Sequence, residues 1–514
     1  MTQFVSRRRF LEDSLLSLTA VAGAAYAVSA TPVAAQQSAV AASDKIGVAI
    51  IGSGGRAGEH QKYYKGNSQC AILYIVDPDA KRIPDRLIDD IAASQGGIKP
   101  KGIADLRKAY DDKSVDVVSI ATSNHWHALA GVWAVQAGKH VYLEKPGSHN
   151  INEGLALAAA SRKYNRVVQI GTQCRSNASN INAVAFIREG GIGEVKFSRG
   201  LCYKRRTAIG PLGEYPIPEN VDYDIWSGPA PIKPLTRKGF HYDWHWQRLY
   251  GNGDSGNQGP HQFDIARWHL GVERYPNAII TYGGRLGYDK ENPNNNDPNY
   301  IDAGDTANTE VSIYDFGDKC LVFETRGLAT PPLRIPNAPE GEKGAGAGVG
   351  VITYGSKGYV VQSEYGYSAA YDLEGNRIKE FRGGGDHFRN FLDAVSKGDP
   401  SVVNADAACG AMSSGLAHLG NISYYLGEKN KVSASEIKSA LKAIKSLDNN
   451  DETVDRTVAH LEASKVELGK TPLSMGPLLN FNPETKQFVG NDEANAMLTR
   501  EYRAPYIVPK LADV

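Results

Sequence analysis

The sequence has few cysteines, no excess of charge of either sign and, after its first 43 residues, no run apolar enough to span a bilayer. The five cysteines, Cys70, Cys174, Cys202, Cys320 and Cys409, are scattered and show no CxxC spacing. A disulfide framework or a cysteine-based metal site is therefore not expected. Basic and acidic residues both number 57, so the charge balance gives no indication of a nucleic-acid partner. No HExxH or similar spacing is present, and we predict no metal site.

The first 43 residues have the features of a twin-arginine export signal. Arg7 and Arg8 form the arginine pair, an Ala-rich apolar segment covers residues 15–30, and small residues follow at 33–35. This order of regions is typical of a cleavable signal. We therefore predict export by the twin-arginine translocase to the periplasm or beyond. A flexible cytoplasmic tail and a single membrane anchor remain as alternatives.

A glycine-rich turn follows the first strand-like run of the mature chain. Residues 46–51 are apolar and end at Gly52, and Gly54 and Ala57 complete a G-x-G-x-x-G/A pattern. Gly52 allows a tight turn, Gly54 lets the backbone approach a pyrophosphate, and Ala57 permits close packing of helix and strand. The free N–H groups of the helix would hold the diphosphate. The turn therefore predicts a dinucleotide site, the alternative being an unrelated strand-to-helix turn.

Asp77 gives this prediction a second support. A strand-like run over residues 71–76 ends in this aspartate, about 20 residues beyond the turn, as the dinucleotide fingerprint requires. A carboxylate there accepts hydrogen bonds from the adenosine ribose and repels a 2′-phosphate. We therefore predict NAD as the cofactor in preference to NADP.

Strand-like and helix-like runs alternate over residues 44–172, which predicts a doubly wound parallel sheet. Ligands of such sheets lie beyond the carboxyl ends of the strands. Polar clusters follow several of the predicted strands at this edge. The residues that we expect to contact the cofactor are Gly52, Ser53, Gly54, Gly55, Arg56, Asp77, Thr122, Asn124, His127, Glu144, Lys145 and Gln173.

Four motifs together resemble the Gfo/Idh/MocA oxidoreductase family. They are the Gly-Gly-Arg turn, Asn-His-Trp-His ending at His127, Gly-Lys-His-Val-Tyr-Leu-Glu-Lys-Pro ending at Pro146, and Gly-Pro-His-Gln-Phe-Asp over 259–264. The resemblance implies a Rossmann domain followed by an α/β domain on a large, open, mostly antiparallel sheet. It also implies a cis Lys145–Pro146 peptide, with the lysine reaching the substrate beside the nicotinamide.

The motif at 259–264 holds the other catalytic candidates. The resemblance implies that His261 is the general base that takes a hydroxyl proton as hydride leaves to NAD. Many family members have an aspartate four residues before this histidine, where the present chain has Asn257. A His–Asp relay is therefore not expected here, and we expect Asp264 to orient His261 instead, because residues i and i+3 share a helical face.

The domain boundaries follow from these assignments. We predict a signal and linker at 1–43, the Rossmann domain at 44–172, a substrate and oligomerisation domain at 173–430 with closing helices at 386–427, and an extension at 431–514. A homo-oligomer is expected. The candidate substrate-binding residues are Arg175, Tyr203, Arg205, His245, Trp246 and Asn257.

The function indicated by these features is that of an exported NAD-dependent oxidoreductase acting on a hydroxyl carbon of a sugar or glycoside. Free NAD is scarce outside the cytoplasm, so the cofactor must stay bound. Within the family, one alternative is redox-neutral glycoside cleavage through transient oxidation. An alternative of another class is a sugar-binding protein without catalytic activity.

Overall fold

The computed structural model describes residues 45–288 and 300–514 of the chain. The predicted export signal lies outside the described residues. Within the two described ranges, no helix combines the length and hydrophobicity needed to cross a membrane.

The N-terminal part contains a six-stranded sheet in which every paired strand is parallel to its neighbour. The strand order is β3-β2-β1-β4-β5-β6, the doubly wound order of dinucleotide-binding folds. The strands are β1 Ile46–Ile51, β2 Cys70–Val76, β3 Lys101–Ile103, β4 Val117–Ile120, β5 His140–Leu143 and β6 Val168–Ile170. The connecting helices are α1 Ala57–Gly66, α2 Asp85–Ser94, α3 Leu106–Tyr110, α4 Asn124–Gln136 and α5 Ile151–Lys163. The predicted Rossmann sheet is confirmed.

A large second sheet has the order β16-β15-β14-β13-β7-β10-β9-β8-β18-β17, and β19 also pairs with β8. Among its described pairs only β7 and β10 run parallel, so the predicted mostly antiparallel sheet is confirmed. Its strands are β7 Val195–Tyr203, β8 Ala278–Gly284, β9 Thr309–Asp315, β10 Cys320–Arg326, β13 Val349–Gly355, β14 Gly358–Glu364, β15 Tyr367–Asp372, β16 Arg377–Arg382, β17 Lys431–Val432, β18 Leu473–Met475, β19 Leu479–Asn482 and β20 Gln487–Phe488. Two short strands, β11 Leu333–Arg334 and β12 Gly346–Ala347, pair separately.

Further helices follow the Rossmann part, and several of them cover the two faces of this sheet. They are α6 Ala178–Arg188, α7 Tyr223–Ser227, α8 Gly253–Asn257, α9 Gly259–Leu270, α10 His387–Lys397, α11 Ala407–Leu426, α12 Ala434–Ala440, α13 Asn450–Ala463 and α14 Asp492–Ala496. Short 3₁₀ turns occur at Ala80–Arg82, Gln173–Ser176, Asp243–Trp246, Pro400–Val402, Leu441–Ala443 and Leu511–Asp513. Alternate residues of β8 show the two faces: Ile279 packs with α9 and α11, whereas Ile280 packs with α12 and α13.

The two closing helices connect the sheets. Phe391 of α10 is buried in the same cluster as Val48 and Ile50 of β1. Ser414 of α11 accepts a hydrogen bond from the Gly147 N–H at 3.2 Å. The hydrogen bond to Gly147 fixes the loop after β5, which carries Lys145, against the second half of the chain.

The region after residue 430 packs within the chain at two places. It supplies edge strands and the helices α12 and α13 to the large sheet. Its last residues return to the Rossmann part, where Tyr506 and Val508 pack in the same cluster as Trp126 of α4. A role of this region in a homo-oligomer stays a prediction.

Candidate active site

The turn between β1 and α1 forms a cradle that only glycine can build. Gly52 has a φ of +85°, and its N–H donates to the Val76 carbonyl at 2.7 Å. A Cβ on Gly52 would lie 2.6 Å from the Ala121 carbonyl oxygen, so a side chain cannot fit there. No side chain caps the start of α1. The first N–H groups of the helix are therefore suited to hold the diphosphate of a dinucleotide.

Asp77 lies at the end of β2 and holds two loops together. One carboxylate oxygen accepts from the Ser53 N–H at 2.8 Å, and the other accepts from the Asp79 N–H at 2.9 Å. Burial raises the pKa of Asp77 above the ordinary carboxyl value, and the two hydrogen bonds together with Arg82 offset this only in part. The carboxylate borders the cleft described next, where the ribose of a dinucleotide bound at the turn would be recognised.

A cleft of about 360 Å³ lies across the carboxyl edge of the parallel sheet. One wall is the glycine turn and the ends of β2, β4 and β5. The opposite wall comes from residues 225–257. Twelve of the residues predicted for the site line it: Gly52, Gly54, Gly55, Arg56, Asp77, Thr122, Asn124, His127, Glu144, Lys145, His245 and Asn257. The structure therefore brings most of the predicted cofactor contacts to one cavity.

Glu144 is an ionised carboxylate at the floor of this cleft. Its Oε1 accepts from Arg56 Nε at 2.9 Å and lies 3.2 Å from His60 Nε2. Burial acts to raise the pKa of Glu144, but His60, Arg56 and Lys145 lower it well below the ordinary value. Arg56 also reaches the Gln173 amide when that amide nitrogen donates to the Gly171 carbonyl. Glu144 thus fixes Arg56 beside the turn.

Lys145 enters the cleft between the two halves of the molecule. The Lys145–Pro146 peptide is cis, as the family resemblance implies. The ammonium donates to the Asn257 carbonyl oxygen at 2.8 Å and lies 3.4 Å from the Asn257 side-chain oxygen. Burial lowers the pKa of Lys145, and Arg56, Lys204 and Arg206 lower it further. The ammonium therefore has hydrogen-bonding capacity left for a substrate oxygen.

His127 supports the lysine loop. Its Nδ1 lies 2.6 Å from the Pro146 carbonyl oxygen, and its Nε2 lies 3.1 Å from the Thr122 carbonyl oxygen. Both ring nitrogens thus face carbonyl oxygens at the ends of β4 and β5, and the nitrogen that carries the proton donates a hydrogen bond. Although His127 borders the cleft, its contacts position the loop that carries Lys145.

His261 and Asp264 lie in the first two turns of α9, but they do not act as a pair. Arg175 binds Asp264 through two hydrogen bonds, Nε to Oδ2 at 2.7 Å and Nη2 to Oδ1 at 2.9 Å. Ser413 donates to the same carboxylate at 2.7 Å. Burial raises the pKa of Asp264, but Arg175 and Arg267 bring it down to about 2. Asp264 holds Arg175, which corrects the expectation that it orients His261.

The family follows from matches to the two halves of this architecture. A model described as an oxidoreductase family with an NAD-binding Rossmann fold matches residues 46–172. A second model of that oxidoreductase family, for its C-terminal alpha/beta domain, matches residues 200–280. The chain belongs to the Gfo/Idh/MocA oxidoreductase family.

Named relatives are similar in sequence to part of this Gfo/Idh/MocA chain. A levoglucosan dehydrogenase of Pseudarthrobacter phenanthrenivorans is 29% identical over 179 residues, which are 35% of this chain and 39% of that protein. A glycosyl hydrolase family 109 protein of Shewanella pealeana is 22% identical over 204 residues, which are 37% of this chain and 44% of that protein. The chain thus spans less than half the length of these relatives.

A solved levoglucosan dehydrogenase in complex with NADH has the same fold. Its TM-score is 0.50 at 18% identity, with 74% of this chain and 96% of that chain covered. This likeness shows the fold alone.

The contacts of the opposite wall of the Gfo/Idh/MocA cleft were harder to predict from the sequence than those of the Rossmann wall. Asp79 binds this wall and the segment just before it. Its Oδ2 lies 2.7 Å from Nε2 of His241 in the wall, and its Oδ1 accepts from the side chain of Asn220 before the wall. Burial acts to raise the pKa of Asp79, but these two contacts lower it below the ordinary value. The wall is thus fastened to the sheet next to Asp77.

His245 belongs to that wall, and Arg206 supports the wall by donating to the Tyr242 hydroxyl at 3.0 Å. His245 stacks on Trp244 with ring centroids 3.6 Å apart, and its Nδ1 contacts the Tyr242 carbonyl oxygen. Arg206 binds Asp254 with Nε and Nη2 at 2.8 to 3.1 Å, and it lies over the Trp246 ring. Neither Arg206 nor the predicted Arg205 lines the cleft itself.

Several predicted residues do not line the cleft in the described part of the chain: Ser53, Gln173, Arg175, Tyr203, Arg205, Trp246, His261 and Asp264. Ser53 and Gln173 contact residues that do, Asp77 and Arg56. Tyr203 lies elsewhere, since its hydroxyl donates to buried Glu324 at 2.6 Å. The structure therefore gives Tyr203 no contact with a bound sugar in this cleft.

Proposed function

We propose that the chain is an exported NAD-dependent oxidoreductase that acts on a hydroxyl carbon of a sugar or glycoside and keeps its cofactor tightly bound. The observation that carries this proposal is the position of Lys145. Its ammonium enters the same cleft that the glycine turn borders, where it is held by the Asn257 oxygens. The similarity to a levoglucosan dehydrogenase supports a sugar as the substrate.

The chain's own residues fit a dinucleotide. Gly52 and the uncapped start of α1 would receive the diphosphate, Asp77 would receive the adenosine ribose, and Arg56 lies beside the turn. When bound, NAD supplies the hydride acceptor. Lys145 donates a hydrogen bond to the hydroxyl that is oxidised and stabilises the negative charge that develops on its oxygen. The lowered pKa of Lys145 makes its proton a better hydrogen-bond donor to that oxygen.

Export and cofactor retention belong together in this proposal. An enzyme folded in the cytoplasm can carry NAD through the twin-arginine route, but it cannot replace a lost cofactor outside. About 12 kcal/mol of binding free energy gives nanomolar affinity, which corresponds to slow release. The contacts of His241 and Asn220 with Asp79 support retention, since they close the cleft beside Asp77.

Redox-neutral glycoside cleavage is the second candidate function. The similarity to glycosyl hydrolase family 109 proteins favours it. In such a reaction the sugar is oxidised, the acidified neighbouring C–H permits loss of the glycosidic oxygen, and the hydride returns. A sugar-binding protein without catalytic activity is the third candidate function. It would have no need for a buried lysine beside histidines in the cleft.

The direct test is to identify the bound cofactor and then its reductant. Cofactor released from purified protein is analysed by mass spectrometry, and the intact protein is screened with sugars and glycosides for reduction of the bound nicotinamide. We expect NAD and at least one neutral or acidic sugar that reduces it. Protein that binds NAD but is reduced by no sugar and cleaves no glycoside would refute the enzymatic proposal.

Asp77 is expected to set the preference for NAD. Replacing Asp77 by serine removes the carboxylate that would repel a 2′-phosphate, and a second change, Pro78→Arg, adds a cation beside it. We expect the ratio of NAD to NADP affinity to fall by about 10-fold or more, since one charged hydrogen bond is worth about 1.5–3 kcal/mol. Binding titrations with apoprotein measure both affinities. Wild-type protein that already binds NADP more tightly would contradict the assignment.

Export is tested on the arginine pair. Changing Arg7 and Arg8 together to lysine should leave the precursor in the cytoplasm, because the translocase recognises the pair of guanidinium groups. Cell fractionation with immunoblotting measures the distribution, and Arg9→Lys is the matched control. An unchanged periplasmic yield would show that the segment is a different signal or none.

A further inference from the structure

Lys145 shares its end of the cleft with other cations. Burial lowers the pKa of Lys145 most, and the charges of Arg56, Lys204 and Arg206 lower it further. All three are therefore close enough for their charge to act on Lys145, at the place where the hydroxyl of the substrate is expected. Such a concentration of positive charge attracts an anion, unless carboxylates of the protein neutralise it.

Carboxylates neutralise two of these three neighbours. Arg56 donates to Glu144 at 2.9 Å, and Arg206 binds both oxygens of Asp254 at 2.8 to 3.1 Å. Lys204 differs from them, because its ammonium donates to a neutral side-chain oxygen and forms no ion pair within residues 45–288 and 300–514. The described protein thus leaves the charge of Lys204 for a bound anion.

Two consecutive residues place the ammonium of Lys204 next to that of Lys145. Lys204 donates to the Gln258 side-chain oxygen at 3.3 Å, and Lys145 donates to the Asn257 carbonyl oxygen at 2.8 Å. Both ammonium groups therefore lie at the turn that leads into α9. Lys145 is half-buried and Lys204 is exposed. Because an ammonium has three N–H groups, each lysine keeps donors for a ligand.

Tyr365 connects this position with His261. The amide nitrogen of Gln258 donates to the Tyr365 hydroxyl at 2.7 Å, and the Tyr365 ring lies beside His261 with centroids 5.3 Å apart. Burial raises the pKa of Tyr365 to about 12, so its hydroxyl keeps a proton that it can donate. The Gln258 amide thus holds two donors, the Lys204 ammonium and the Tyr365 hydroxyl, one at each of its ends.

We propose that the substrate of this chain is an acidic sugar or glycoside, whose carboxylate binds Lys204 and the Tyr365 hydroxyl while Lys145 binds the hydroxyl that is oxidised. A carboxylate has two oxygens that accept several hydrogen bonds, so it can take both donors at once. Gln258 is a positioning residue in this arrangement. The inference rests on the proposed oxidoreductase function, for which it names the class of substrate.

Matched sugars test the charge of the substrate. Protein with its bound NAD is mixed with hexuronic acids and, for each acid, with the uronamide and the neutral hexose, all as methyl glycosides. We expect at least one acid to reduce the bound nicotinamide with a second-order rate constant about 10-fold or more above that of its amide, which lacks only the charge. Amides or hexoses that react as fast as the acids would overturn the proposal and leave the proposed function intact.

The preference for the acid should depend on Lys204. In Lys204→Gln we expect the acid concentration for half-maximal rate to rise about 10-fold, whereas the values for the amide and the NAD content stay as in the wild type. Lys204→Arg keeps the charge and should keep most of the preference. Lys238→Gln changes an exposed lysine and is the control. A preference that persists in Lys204→Gln would contradict the assignment.

A binding measurement distinguishes this inference from the proposed function. Protein loaded with NADH cannot oxidise a sugar, so calorimetry with the same acids and amides measures binding alone. We expect the acids to bind about 10-fold more tightly than their amides, and added salt to reduce the difference. This result in protein whose NAD no sugar reduces would support the carboxylate site and refute the proposed function. Acids that bind no more tightly than their amides would overturn the inference, whether or not the protein oxidises sugars.

Discussion

Replacing Lys145 by alanine should lower turnover by about 10²-fold or more, because the variant loses the group that stabilises charge on the reacting oxygen. The protein should still contain its normal amount of NAD. In the proposed function Gly52, the start of α1 and Asp77 hold the diphosphate and the adenosine ribose, and Lys145 contacts neither group. Single-turnover reduction of the bound nicotinamide and analysis of released cofactor measure the two quantities.

Lysine variants elsewhere in the Rossmann part provide the control. Lys99 is exposed and pairs with Asp89 at 2.9 Å on the surface, so Lys99→Ala should leave turnover unchanged. Lys145→Arg keeps the charge but changes the position of the donors, and we expect partial activity from it. Normal turnover of Lys145→Ala would show that this lysine is a structural residue of the loop after β5.

Cofactor release should accelerate when the side-chain contacts of Asp79 with His241 and Asn220 are removed. In the double variant His241→Ala, Asn220→Ala, Asp79 loses both of these side-chain partners. Hydrogen bonds to charged groups contribute about 1.5–3 kcal/mol each, and about 1.4 kcal/mol is a tenfold change. We therefore expect NAD to dissociate about 10- to 100-fold faster than from the wild type.

This prediction is measured by dilution of loaded protein into a trap of excess apoprotein or labelled NAD. Lys238→Ala changes an exposed residue between Asn220 and His241 in the sequence; it is the control and should release NAD at the wild-type rate. If the wild-type protein loses its cofactor during desalting, the contacts of Asp79 do not retain it. The argument that links export with a bound cofactor would then fail.

The Rossmann wall of the cleft could be predicted from the sequence because its signals are local. Gly52 and Asp77 each follow a strand directly, and the carboxyl ends of parallel strands meet at one edge. Lys145 and Pro146 were predicted for the same reason, because they follow the end of β5. The strand Lys101–Ile103 was missed, since it is three residues long, mostly exposed and without apolar periodicity.

His245 and Asn257 of the opposite wall were predicted as site residues, but the contacts that hold this wall could not be predicted, because they join distant parts of the chain. His241 meets Asp79 across 162 positions of sequence, and no periodicity indicates such a pair. The bond from Arg175 to Asp264 spans 89 positions, and it overrode the expectation from helical spacing that Asp264 serves His261. Helix spacing shows which residues share a face, but it does not show which partner across the core takes the carboxylate.

The transfer of hydride from a sugar carbon to NAD bound in this cleft is measured most directly with a deuterated substrate. Desalted protein, with no cofactor added, is incubated with the sugar identified in the screen, deuterated at the oxidised carbon, and the nicotinamide is then released for mass spectrometry. We predict that the released NADH carries the deuterium, in about one equivalent per loaded site for a net oxidation. In redox-neutral cleavage the product should keep its deuterium and the bound NAD should be unlabelled at the end, but samples quenched during turnover should contain NADH that carries deuterium. Activity that requires millimolar added NAD, or a product that forms without any passage of deuterium through the nicotinamide, would contradict the account.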